Sequence, residues 1–175
     1  MITPERAAEI KDVVHRVTRW VSDRSDVVGL LLVGSCARGA ARPDSDIDLV
    51  LLTRDTTHYT DSTWTDSTWT GELGIGELIR TRTWGAITEQ RFVTASGLEV
   101  EIGIGHPRWA SVAPVDPGTH RVVSDGARIL HDPTGILADL LRACRRHATR
   151  SSDEDAIRRT SDGQSELPSR TRGPQ

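Results

Sequence analysis

Apolar residues recur at Ile10, Val13, Val14, Val17 and Val21, the spacing of one helical face. Thr3, Pro4 and Glu5 stand ahead of them as a cap, a first-turn proline and an acid suited to the helix dipole, so a helix is expected to about Asp23. The polar gaps then close. Residues 27–34, VVGLLLVG, and 47–53, IDLVLLT, are unbroken aliphatic runs too short for typical helices, and each reads as a strand buried on both faces.

From 53 to 70 the chain turns to Thr, Asp and Ser and contains DSTWTDSTWT, a five-residue tandem copy. A surface loop tolerates such an insertion because closing a longer loop costs little extra entropy. The functional alternative makes Trp64 and Trp69 an aromatic lip that stacks on a substrate ring. GELGIGELIRTRTW (71–84) is expected as a short helix weakened by its glycines. RFVTASGLEVEIGI (91–104) alternates on either side of Ala-Ser-Gly and predicts a β-hairpin, with Leu98, Val100, Ile102 and Ile104 on one face of its second arm and Glu99, Glu101 and Gly103 on the other. HPRWASVAPVDPGTH is expected to be loop, and ARILHD a last short strand. Asp132-Pro133 then caps a helix bearing Ile136, Leu137, Leu140, Leu141 and Cys144 on its apolar stripe. Beyond about Ala148 aliphatics nearly vanish, so the expected division is a folded domain over 1–148 and a disordered tail over 149–175.

The candidate chemistry lies where the first buried strand hands over to the second, in VGSCARGAARPDSDIDLVLL (33–52). Gly34-Ser35 at a strand end offers backbone N–H groups and a hydroxyl to a phosphate, a weak signal alone. Asp46 and Asp48 are stronger. Period-2 geometry aims both at one face while Ile47 and Leu49 enter the core, and two carboxylates held together repel unless a cation satisfies them. Mg²⁺ suits such hard oxygen ligands and commonly shares them with substrate phosphates. Glu101 or Glu99 on the later strand is placed to add a third carboxylate. A solvated turn before the strand is the plainer alternative. A calcium loop is excluded because Leu49 stands where that loop needs glycine. GxxxxGK[ST] and GxGxxG are both absent, which leaves phosphate binding dependent on metal.

The joint pattern of Gly34-Ser35, Ala37-Arg38-Gly39 and Ser45-Asp46-Ile47-Asp48 between two buried strands resembles the nucleotidyltransferase superfamily that includes DNA polymerase β, particularly its small bacterial members, the minimal nucleotidyltransferases and antibiotic adenylyltransferases. The resemblance implies an α+β fold, a mixed sheet with helices packed on one side. It also implies two Mg²⁺ ions, with Mn²⁺ as a substitute, on Asp46, Asp48 and a third carboxylate. Gly34 and Ser35 would hold the β,γ-phosphates of an NTP, with ATP the expected co-substrate. Glu101 is preferred to Glu99 as third ligand because it lies deeper in its strand. Arg38 is expected to bind phosphate or to make a salt bridge. Arg80 and Arg82 are candidates for the triphosphate or acceptor pocket, or an exposed basic helix end. Cys36 is expected to be a buried filler, and the histidines show no metal-ligand spacing.

Composition narrows the partners. A net charge of −3 and a pI near 6.1 give no general nucleic-acid footprint, and Lys11 is the only lysine. Cys36 and Cys144 form no disulfide framework, the charged N-terminus is unlike a signal peptide, and no apolar run spans a membrane, so a cytoplasmic protein is expected. The expected reaction moves an NMP, as AMP, to a hydroxyl of a small-molecule acceptor, with a homodimer as one way to complete the acceptor pocket. The alternatives are an antitoxin that binds and nucleotidylates a toxin partner, or a nucleotide-binding module without turnover.

Overall fold

The computed structural model describes residues 1–61 and 69–146. The first helix, α1, spans Pro4–Ser22, and the Arg6 backbone N–H donates to Thr3 Oγ at 3.2 Å, the expected cap. Strand β1, Val27–Val33, runs antiparallel to β2, Ile47–Thr53, and the short helix α2, Gly34–Ala37, opens the connection between them. Strands β3, Glu77–Trp84, and β4, Ile87–Val93, form a hairpin. Its second strand continues into another with β5, Glu99–Gly105. β5 lies parallel to β2, and β6, Ala127–His131, closes the other edge antiparallel to β1. The sheet order is β3-β4-β5-β2-β1-β6, a mixed six-stranded sheet in an α+β fold.

Every residue of β1 is buried because both faces of the central strands are covered. On one face Leu30, Leu32, Ile47, Leu49, Leu51, Val100, Ile102 and Ile104 pack against the α1 valines. On the other, Leu31, Val33, Val50 and Leu52 pack against Val123, Leu137, Leu140 and Cys144. The helical cover is thus wider than the one side expected. The helix at residues 136–146 (α6) and a further helix, α5, Pro117–Ser124, supply the second layer. Asp132 caps α6 by accepting from the Leu137 and Ala138 N–H groups at 3.2 and 2.9 Å.

Three local expectations change. Residues 77–84 are strand rather than helix, since they pair along β4 through a tight Gly85 turn (φ 55°). All eight are exposed, so no apolar stripe announced them. Within the expected loop, α5 forms because Asp116 caps it, accepting from the Thr119 N–H at 3.0 Å, ahead of Pro117, the device already seen at Thr3-Pro4. Trp69 is no lip. It opens a short helix, α4 (Trp69–Leu73), is 5% exposed, and packs against Trp20, Phe92 and Tyr59 of the short helix α3 (Thr57–Thr60), with its indole N–H donating to the Tyr59 carbonyl at 2.9 Å. Trp64 and most of the tandem repeat lie outside the described residues, as does the segment expected to form the tail.

Candidate active site

The parallel register of β2 and β5 sets Asp48 beside Glu101. Alternation turns both toward the face opposite α1, because Ile47, Leu49, Val100 and Ile102 point into the α1 cluster. Asp46, two residues ahead of Asp48, follows the same period. One oxygen each of Asp46, Asp48 and Glu101 lies within 4.8 Å of the others. Glu99 is not in that group. It pairs with Arg91 at the start of β5.

Gly34 makes the close approach possible. Its φ of 69° is left-handed, and a Cβ there would sit 2.5 Å from Asp48 Oδ2. The chain therefore needs glycine both for its turn and for the carboxylate. Burial and the neighbouring Asp46 charge raise the Asp48 pKa from 3.8 to about 6, while the Arg91 charge pulls it back. A carboxylate that resists ionisation unless a cation arrives is the electrostatic condition of an acidic metal site. The donor set, three hard carboxylates with the Asp48 oxygen cradled against Gly34, fits a divalent cation such as Mg²⁺.

The loop between β1 and β2 is fixed from within. Ser35 Oγ donates to Ser45 Oγ at 3.1 Å, the Arg42 N–H donates to the same Ser45 oxygen at 2.9 Å, and the Cys36 thiol donates to the Asp46 carbonyl at 3.2 Å. Burial raises the Cys36 pKa, as suits a thiol that packs rather than reacts. Arg38 is engaged with Asp125, whose carboxylate lies 2.7 Å from its guanidinium and whose carbonyl also accepts from it. Arg82 stacks on Trp84, 4.4 Å from the ring centroid. Arg80 pairs with Glu89 at 2.8 Å and stands 3.8 Å from Glu101.

A cavity of about 940 Å³ opens on this face. Asp48 and Glu101 stand at its floor with Val50 and Ile87, Trp109 and Thr119 line it from the segment after β5, and Trp84 lies at the hairpin turn. Asp46 faces a smaller recess of about 330 Å³ with Arg6, Arg91 and Glu99. Sequence reasoning missed Arg91, which pairs with both Glu99 and Glu101. The signal was present, since a hairpin turning near Ala-Ser-Gly sets 91 across from 101. The cavity's Trp109 and Thr119 had no local signal, because they arrive through a connection whose path the sequence left open.

Residues 15–100 match the family described as a nucleotidyltransferase domain. No curated protein matches the chain. The matched stretch runs from within α1 through β1 and β2, the strands that flank the aspartate loop, and ends one residue before Glu101. Motif, strand register and carboxylate geometry converge with that match, and the chain carries over residues 15–100 a nucleotidyltransferase domain of the DNA polymerase β-like superfamily, a family of transferases of phosphorus-containing groups.

Proposed function

We propose that the protein transfers AMP from ATP to a hydroxyl of a small-molecule acceptor and releases pyrophosphate. The observation that carries this reading is that two of the three clustered carboxylates, Asp48 and Glu101, line a cavity of about 940 Å³, within the size range of ligand pockets. Asp46, Asp48 and Glu101 would hold Mg²⁺, which when bound supplies positive charge to the phosphates and to the attacking oxygen. Gly34 and Ser35, at the turn against Asp48, would take the β,γ-phosphates. Arg38 fastens the same loop to Asp125. In the transfer, the acceptor oxygen bonds to the α-phosphorus as the bond to the bridging oxygen breaks. Glu101, which lines the cavity, would receive the hydroxyl proton.

The test is pyrophosphate release from ATP with Mg²⁺ across a panel of hydroxylated small molecules, with mass spectrometry of the products. Acceptor-dependent release and an AMP adduct are expected. Release that no small molecule stimulates counts against a small-molecule acceptor. A second reading, transfer to a hydroxyl on a bound toxin-like protein, draws on β3. It is an edge strand exposed along its whole length, with Leu78, Ile79 and Trp84 at 41, 49 and 54% exposure. Adenylylation of a co-purifying protein would favour it.

A further inference from the structure

Two arginines stand where the third carboxylate needs a cation. Arg91 of β4 lies opposite Glu101 of β5 in the antiparallel register and pairs with both Glu101 and Glu99, while Arg80 pairs with Glu89 and reaches to 3.8 Å from Glu101. The Arg91 and Glu101 side chains are 22 and 17% exposed, so water screens their attraction poorly. No ion pair is made by Asp46 or Asp48 among the described residues. The cluster is therefore asymmetric. Its aspartate half awaits a cation, and its glutamate half already has one.

We propose that Arg91 is a positioning residue that occupies the cation's place beside Glu101 in the metal-free site and moves onto Glu99 when a divalent ion binds. The inference rests on the metal reading above. Glu99 and Glu101 are neighbours on one face of β5, and Arg91 touches both, so the shift requires no backbone movement. The Arg91 Nε is buried without an acceptor, which leaves the guanidinium incompletely satisfied in its present seat. Glu99 then has a defined task. It keeps the displaced guanidinium paired, since a buried unpaired charge would otherwise oppose metal binding. A guanidinium suits the role better than an ammonium because its planar fork can engage two carboxylates at once.

The experiment is Mn²⁺ titration of the nucleotide-free protein, followed by electron paramagnetic resonance. Arg91→Gln should bind Mn²⁺ more tightly by roughly tenfold, the order expected when one unit charge is removed at ion-pair distance. Glu101→Gln in the same background should abolish that gain. Glu99→Gln alone should weaken binding, yet have no effect in the Arg91→Gln protein. Arg91→Lys keeps the charge without the fork and should fall between wild type and Arg91→Gln, which keeps the test available if the glutamine variant folds poorly. Unchanged or weaker Mn²⁺ binding in folded Arg91→Gln, with wild type binding normally, overturns the inference alone. Absence of Mn²⁺ binding in wild type and Arg91→Gln alike overturns the metal reading and the inference together.

Discussion

The starts of β2 and β5 each present two carboxylates at i, i+2, Asp48 with Asp46 just ahead of the first strand and Glu99 with Glu101 in the second, yet their electrostatics differ. The glutamates are matched by Arg91, with Arg80 close by. The aspartates make no ion pair among the described residues, and Asp48 is raised to about 6 by burial and its neighbour. Identical spacing thus yields one compensated pair and one that stores repulsion. Motif spacing locates carboxylates, but the strands beside them decide which will demand a cation.

The largest break in this contrast is Asp48→Asn. It should lower nucleotidyl transfer by at least about a thousandfold, the scale of losing a central transition-state contact. The metal-free protein should become more stable at pH 7, because the substitution removes a buried repulsion. Pyrophosphate assays and thermal melts read the two effects. Glu101→Gln should cost about a hundredfold in rate. Glu99→Gln should cost far less, and the reverse order would give Glu99 the third ligand's place.

The Asp48 proton gives a pH signature. Its folded pKa lies above the usual 3.8, so the folded state holds this proton more tightly than the unfolded chain. Stability of the metal-free protein from this group is present below about 4 and is lost as pH rises through about 6. Metal binding runs the other way. Mg²⁺ affinity should climb between pH 5 and 7 as the competing proton leaves, and Asp48→Asn should flatten both trends. Calorimetry at stepped pH measures them.

The smallest effect on the chemistry should come from the far side of the sheet. Trp69→Ala removes a buried indole from the Trp20, Tyr59 and Phe92 cluster and should cost about 3–5 kcal/mol of stability. Mg²⁺ affinity of the folded fraction should stay near wild type. A collapse of metal binding would show that the two faces are coupled.

These contrasts also mark what the sequence made legible. The two buried strands, the aspartate pair and the glycine before them were readable because burial and period-2 geometry leave their mark residue by residue. Glu101 was readable from its place in an alternating strand. The β3 strand was not, since a strand exposed on both faces has no apolar stripe to count. α5 carried a cap signal at Asp116-Pro117, but only Val122 and Val123 gave it an apolar side. Trp69 shows the opposite error: a tryptophan inside a polar repeat looked like surface and proved to be core, because burial is decided by α1 and β4, which lie far from it in sequence. Arg91 required pairing two strands before its charge had meaning.

The most direct test of the central claim, that Asp46, Asp48 and Glu101 hold divalent ions for a nucleoside triphosphate, is calorimetric titration of ATP into the protein with Mg²⁺ or with EDTA. Binding that requires Mg²⁺ and is lost in Asp48→Asn is the predicted result. Equal ATP binding in EDTA, or none under either condition, would contradict the account.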